Sequence, residues 1–407
     1  MQQEIRLYGD GAHDDTAAIQ ALLDTGRATV HLPPPPVKYL ISRTLLLHSG
    51  QSLQLDRFTE VMLMPQSNCV MLGNADMEAG NENISVTGGI WNMNNMAQHP
   101  NPIHYPLHQL PEGYTPAQGY PGYDFYTGVA IRFFHVKNLI IQDLTVKDPV
   151  TFAIQMARIE QATVENLIFD FNYGNPFPGN MDGVHLDGDC RFVSIRNLKG
   201  PCYDDMVALN ADDGYYGPIE DIQIDGIFTH DCHSAVRMLS AGSWIRRVTI
   251  SNVFGSFFQY AVAFSVYYPE RGRKGLFDQI TLRDLYVSKA VRHSMYRKDG
   301  SFVYPLIWME KDAVVKNALI ENLHRRESVT AVETIGLDPQ VEVGRLTIRH
   351  ATQENETGEA IPWLRNQGHI GRLDLSCVAV TDDALLADEG NIDCLQADDE
   401  VKAQLQK

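Results

Sequence analysis

Apolar, often β-branched residues alternate with polar ones over short runs of about four or five residues, and each run ends on Asn or Asp ahead of another apolar residue. The unit recurs in "NISVTGGIW", "NLIIQDLTV", "ATVENLIFD", "FVSIRNLKG", "IEDIQIDGIF", "IRRVTISNVFG", "FDQITLRDLYV", "VVKNALIENL", "VGRLTIRHAT" and "IGRLDLSCVAV". From Asp143 onward the anchors fall at Asn166, Asn197, Gly226, Asn252, Asp284, Asn322 and His350, a step of roughly 23 to 38 residues. Strands this short cannot bury a face alone, and a step this irregular suits a solenoid whose loops vary in length. Asn-Gly hairpin signals are scarce, which argues against a sandwich. The pattern predicts an all-β chain folded as a right-handed parallel β-helix.

The ends read differently. In "HDDTAAIQALLDTG" an N-cap at Asp14 or Asp15, an apolar stripe of Ala18, Ile19, Leu22 and Leu23, and a stop at Gly26 predict a short amphipathic helix that caps the solenoid. After Val380 the repeat fades into acidic segments that cover the other end or trail from it. The expected organisation is one domain over 1–407, with a cap region at 5–50, coils at 80–380 and a tail at 381–407. Within the coils, 98–126 is rich in Pro, Tyr, Gly and His without periodicity, a long loop suited to walling a groove.

Composition narrows the function classes. With 44% hydrophobic and 21% charged residues, the 407-residue chain has enough apolar material for a packed core. Asp and Glu number 51 against 33 Lys and Arg, a formal charge of −18 that no basic stripe interrupts, so neither nucleic acid nor a membrane is an expected partner. The start "MQQEIRLYGDGAHDD" lacks a basic, apolar secretory signal, and no segment approaches the about 20 apolar residues that span a bilayer. The expected location is cytoplasmic, or secreted or periplasmic if a signal has been removed. Cys69, Cys190, Cys202, Cys232, Cys377 and Cys394 show neither CxxC nor zinc spacing, which predicts buried thiols, with Cys190 and Cys202 the pair that could join in an oxidising compartment.

The chemistry concentrates in "NMDGVHLDG", Asn180 to Gly188, and "CYDDMVALNADDG", Cys202 to Gly214. If the strands holding Asp182 and Asp204–Asp205 stack one coil apart, at about 4.8 Å, three carboxylates share one patch. Like charges that close divide into a protonated and an ionised member, the requirement for acid and base acting together on a glycosidic bond. Two alternatives stand beside this: aspartates that serve turns, and a calcium site drawing on Asp187, Asp189, Asp212 and Asp213. His185 follows Asp182 by three positions, and strand alternation puts it on the opposite face unless a turn intervenes. Tyr215, Tyr216, Tyr267, Tyr268 and Trp308 fall at repeat junctions, where aromatic rings could stack on sugars.

These residues also carry a family resemblance. "YGDGAHDDTAAIQALLD" resembles the opening of the pectate-lyase-like β-helix superfamily, "VTGGIWNMNN" the strand and turn that follow, and "FFHVKNLIIQDLTVKDPVTFAIQM" is similar to the central coils of glycoside hydrolase family 28, the polygalacturonases and their relatives. In that family an Asn-x-Asp-Gly segment precedes an Asp-Asp pair by about one coil, and Asn180, Asp182, Gly183, Asp204 and Asp205 match it. The resemblance implies Asp204 as general acid, with Asp182 and Asp205 positioning and deprotonating water. The family's Gly-His-Gly falls near "CHSA", where His233 is a shifted counterpart. Its uronate-binding Arg-Ile-Lys falls near Ala263, Phe264 and Ser265, where the cations are missing. Arg237, on an otherwise apolar strand, is the candidate to bind an anionic or hydroxyl-rich sugar in their place.

The expected activity is therefore an inverting glycoside hydrolase acting on a pectin-like or other plant-type poly- or oligosaccharide. Asp182, Asp204 and Asp205 are its catalytic candidates, and Asn180, His185, His233, Arg237 and Tyr267 its substrate-binding candidates. No cofactor and no metal are part of that site. The rivals are a polysaccharide lyase using Lys199, Arg191 or Arg237 as base, and a non-catalytic glycan-binding stalk of the tailspike kind. The pattern sets no oligomeric state.

Overall fold

The computed structural model describes residues 6–102, 127–176, 178–291, 303–381 and 383–406. The fold is the right-handed parallel β-helix that the repeats predict. The chain divides into two compact units, the first comprising Met1–His185, Phe192–Ser194 and Leu198–Asp204, the second Leu186–Arg191, Ile195–Asn197 and Asp205–Lys407.

In the first unit each coil contributes three short strands, and like strands of successive coils pair in parallel. Thr29–Leu32, Ser52–Leu55, Asn81–Thr87, Val136–Gln142 and Glu160–Asp170 form one such column. Lys38–Ile41, Glu60–Leu63, Ile90–Asn92 and Thr145–Lys147 form another. Leu45–Leu47, Leu72–Asn74, Ile131–Phe134 and Ile154–Ala157 form the third. Alternation decides what faces inward: Val30, Leu53, Val86, Ile141 and Val164 are register partners in turn, and all are buried. Each contributes about 1.5–3 kcal/mol of apolar burial to an interior that none could build alone.

The second unit stacks longer strands: Ile219–Phe228, Trp244–Ser265, Gly275–Lys289, Ala313–Glu327, Glu342–Asn355, His369–Val380 and Asn391–Ala397. Ile224, Ile250, Leu282, Ile320, Ile348 and Leu375 form its buried column. Beside these strands runs a second column: Asp205–Asn210, Cys232–Leu239, the end of Trp244–Ser265, Ile307–Met309, Ile335–Leu337, Leu364–Asn366 and Leu386–Asp388.

The recurring anchor has a backbone cause. Asp143, Asn166, Asn197, Asn252, Asp284, Asn322 and His350 all have φ between 54° and 58°, and Gly226 is left-handed too at 86°, so these coils share a left-handed residue at the anchor. Asn and Asp tolerate that conformation because their short polar side chains bond locally. Here anchors also bond one another, Asn166 Nδ2 donating to Asp143 Oδ1 at 3.0 Å and Asn322 Nδ2 to Asp284 Oδ1 at 2.6 Å, while Asn252 Nδ2 donates to Oδ1 of Asp225, the residue before Gly226, at 2.7 Å.

The predicted cap helix spans Thr16–Leu23 and buries Ile19 and Leu23. Its two aspartates divide the work. Asp15 occupies the N-cap position but turns its carboxylate to the amides of Tyr8 and Gly9, while Asp14 accepts from the amide and hydroxyl of Thr16. At the other end the coils run past Val380, through Leu386–Asp388 and Asn391–Ala397, to a helix at Asp399–Leu405 capped by Asp398. The alternation fades there because the strand Asn391–Ala397 buries none of its residues. Of the stretch read as a long loop, 103–126 lies outside the described residues. No cysteine is in a disulfide, Cys190 and Cys202 included. Cys377 and Cys394 are exposed, contrary to expectation, while burial pushes the Cys69 thiol up to about 12.

Candidate active site

In the first unit Asn180 adopts the left-handed conformation with φ 56°, and its side-chain oxygen accepts from Asn101 Nδ2 at 3.1 Å. The same Asn101 amide reaches the carbonyl of Gly179 at 2.8 Å, so a buried asparagine pins the turn that delivers Asp182. Asp182 is 1% exposed, and its Oδ2 lies 2.7 Å from Nδ1 of the equally buried His185. A carboxylate partner makes Nδ1 the protonated ring nitrogen. The imidazole also stacks on Phe152, with centroids 4.0 Å apart and planes 14° from parallel. The alternation that would place His185 on the opposite face does not reach Asp182: the strand begins at Val184, and the bend at Gly183 is the intervening turn.

Asp204 is half-buried and immediately precedes the strand Asp205–Asn210. Asp205 opens that strand, belongs to the second unit and is fully buried. Its partners come from the next two rungs. Asp205 pairs in register with Ser234, which pairs with Tyr260; Ser234 Oγ donates to Asp205 Oδ1 at 2.5 Å and the Tyr260 hydroxyl lies 3.4 Å from the same oxygen. Arg237 Nε sits 2.8 Å from Asp205 Oδ2. Since the single proton of Ser234 goes to Asp205, the contact of 2.9 Å between Ser234 Oγ and His233 Nδ1 has the imidazole as donor. His233, 7% exposed, thus holds the serine that holds the aspartate, and packs edge-on to Phe258 and Tyr260.

The register explains why the strand tolerates Arg237. Its neighbours across the ladder are Ala208 and Ala263, whose small side chains leave room for a guanidinium. The position where the family resemblance leads one to expect a cation is therefore an alanine one rung from an arginine. That arginine's charge is matched by Asp205, and its carbon Cζ lies 5.8 Å from the Tyr267 ring centre. Further along this face Trp308 follows Ala263 in register and packs against Tyr260 and Tyr304. Its indole donates to Asp338 Oδ2 at 3.0 Å. Burial raises the Asp338 carboxyl above its ordinary value, aided by the charges of Glu310 and Glu333, against the indole and the Lys311 amide, which favour ionisation.

The carboxylates proposed for calcium are committed elsewhere. Asp187 accepts from the Gly214 amide, Asp212 from the amides of Ala241 and Ser243 and the Ser243 hydroxyl, and Asp213 from Asn210 and the Tyr268 hydroxyl, while Asp189 is exposed. Asp187, Asp212 and Asp213 act as turn braces. Burial, then Asp213, raises the Tyr268 hydroxyl's pKa, and Arg271 lies against both Tyr268 and Tyr216. A carboxylate oxygen of Asp205 and a ring nitrogen of His233 lie within 4.8 Å of each other, oxygen and nitrogen of the kind that hold a divalent cation. Of the lyase candidates other than Arg237, Arg191 and Lys199 lie exposed on the strand Cys190–Lys199. The sequence reading missed Ser234, Tyr260, Tyr304, Asp338 and Glu310. Only Ser234 had a signal, its place inside "CHSA".

The family described as rhamnogalacturonase A/epimerase, pectate-lyase-like, matches residues 4–257. No curated protein sequence matches the chain. Among solved structures, the family 28 exopolygalacturonase of Yersinia enterocolitica is similar with a TM-score of 0.58 at 14% identity, over 96% of this chain and 77% of that one. The tailspike protein of Escherichia coli bacteriophage HK620, solved with a pentasaccharide, gives a TM-score of 0.56 at 13% identity over 95% of this chain and 76% of that one. The N-terminal fragment of bacteriophage phi29 gene product 12 gives 0.56 at 12% identity, over 94% and 71%. At these identities the likeness is one of fold.

Proposed function

Since the chain belongs to the rhamnogalacturonase A/epimerase, pectate-lyase-like family, we propose that it is a glycoside hydrolase cleaving a pectin-like or other plant-type poly- or oligosaccharide by inversion. The observation that carries this reading is the unequal setting of two consecutive carboxylates. Asp205 is fully buried and paired with a guanidinium, while Asp204, one residue earlier, is only half-buried. Unequal surroundings are what divide acid from base duty between neighbouring carboxyl groups.

Asp204 then acts as general acid, passing its proton to the glycosidic oxygen as the bond to the anomeric carbon breaks. Water attacks that carbon from the opposite face and gives up its proton to a carboxylate base, a duty assigned to Asp205 with Asp182. His185 fixes the orientation of Asp182, and His233 acts on Asp205 through Ser234. The lyase reading is disfavoured by the same ion pair: Arg237 is the base candidate paired with Asp205, and a guanidinium held by a carboxylate does not give up its proton.

The test is reducing-sugar release from a panel of pectic, rhamnogalacturonan and neutral plant glycans. Asp204→Asn is expected to lower turnover by about 10²–10⁴-fold, the usual contribution of general acid catalysis. Products absorbing in the ultraviolet would mark a lyase instead. Glycan retention without turnover in the wild type would mark a binding protein and sink the hydrolase reading.

A further inference from the structure

Tyr267 lies just beyond the strand Trp244–Ser265, with φ 49°. The left-handed positions that recur at the coil anchors are mainly Asn and Asp, for which the conformation is cheap. An aromatic residue pays more, and such strain persists only where the surroundings enforce it. Glu310 enforces it here. Its Oε2 accepts from the Ser265 hydroxyl at 2.7 Å and from the amides of Val266 and Tyr267 at 2.7 and 3.1 Å. One carboxylate, reaching from another coil, accepts three donors around the turn, while the Tyr268 amide closes it onto the Val266 carbonyl at 2.6 Å.

What the turn presents is a ring. Tyr267 is 59% exposed. Other exposed aromatics of the second unit use their faces on each other: Phe228, Phe254 and Tyr286 stack at 5.2 and 5.0 Å, within 4° of parallel. Tyr267 instead meets Tyr268 in a T-shaped contact at 5.0 Å and 81°, and the Arg237 guanidinium at 5.8 Å. Arg237 is the residue paired with Asp205. A strained, exposed ring is thereby tied through one side chain to the buried carboxylate.

We propose that Tyr267 is a saccharide platform, its ring taking the C–H face of a pyranose unit while the guanidinium edge of Arg237 meets the sugar's hydroxyls, and that Glu310 is the positioning residue that sets the platform's angle. Aromatic faces suit the apolar side of a sugar ring, and a few placed polar groups fix its orientation. The proposal takes its class of glycan from the hydrolase reading, but stacking itself needs no turnover.

Affinity electrophoresis in native gels containing each glycan of the panel tests it without relying on catalysis. The wild type is expected to be retarded by at least one glycan. Tyr267→Ala should weaken that binding about tenfold, and Tyr267→Trp should keep it, since any flat ring serves. Glu310→Ala should weaken binding to a similar degree, and the double variant no further, because both changes disable one platform. Additive losses would make Glu310 a general structural brace and overturn its assignment. Retardation by no glycan, or equal retardation of wild type and Tyr267→Ala, overturns the platform. Retardation lost in Tyr267→Ala without wild-type turnover keeps the platform and removes the hydrolase; turnover with an unchanged KM in Tyr267→Ala does the reverse.

Discussion

Asp182 in the first unit and Asp205 in the second are buried to 1% and 0% exposure, yet the molecule treats them differently. Asp182 meets an imidazole, 2.7 Å away and stacked on Phe152; Asp205 meets a guanidinium at 2.8 Å, with a serine and a tyrosine hydroxyl on its other oxygen. A guanidinium keeps its charge at any working pH, whereas the imidazole meets its carboxylate through a single ring N–H. The difference teaches that burying a carboxylate fixes its role only once its partner is known: one site has a permanent countercharge, the other a stacked ring that donates one hydrogen bond.

The comparison can be broken most forcefully at Arg237. Arg237→Met leaves Asp205 buried without its cation and is expected to cost about 3–5 kcal/mol in denaturant unfolding, the range for breaking a buried pair from one side. His185→Phe keeps an aromatic surface for Phe152 but removes the donor to Asp182, and should cost about 1–3 kcal/mol, as for a buried acceptor left unsatisfied. If the two variants prove equally destabilised, the contrast between a guanidinium and a hydrogen-bonding ring fails. Asp338 extends the series to a partner with no charge, the Trp308 indole. Its folded pKa is raised by burial, so the fold binds a proton there more readily than the unfolded chain does. The penalty for ionisation is full above the raised value and disappears as pH falls below the ordinary one. Asp338→Asn should therefore match or slightly exceed the wild type in stability at neutral pH, by less than about 1 kcal/mol. That advantage should shrink on acidification, as read from melting temperatures across a pH series.

The coils were legible because their signal is local. A left-handed residue at Asp143, Asn166 or Asn252 needs only its own side chain and the apolar neighbours on either side, and both are written next to each other. The last described strand was not, since Asn391–Ala397 pairs, among the described residues, only with His369–Val380 and buries none of its residues. In the site, the three aspartates stood out by motif, but their partners are set by which rungs stack. Asp205 finds Ser234 through register, and nothing in the spacing says that Arg237 leans back from its rung beside Ala263 to reach it. For His185 the spacing left two placements open, because alternation decides only within a strand and none runs through Gly183. Glu310 carries no sequence mark at all: its role depends on the path the chain takes from Ser265 back to the next strand of that face.

The column of left-handed turns also governs how such a chain can change length. Losing one residue inside a strand would send every following side chain of that strand to the opposite face, putting apolar groups in water and charges inside. Adding a full coil, anchor included, violates no local rule, because each coil needs only its two neighbours. Insertions between strands are equally harmless, as the uneven step of roughly 23 to 38 residues between anchors shows. Inheritance can therefore edit this architecture by whole turns or by its loops, and single-residue indels within strands are the changes it should purge.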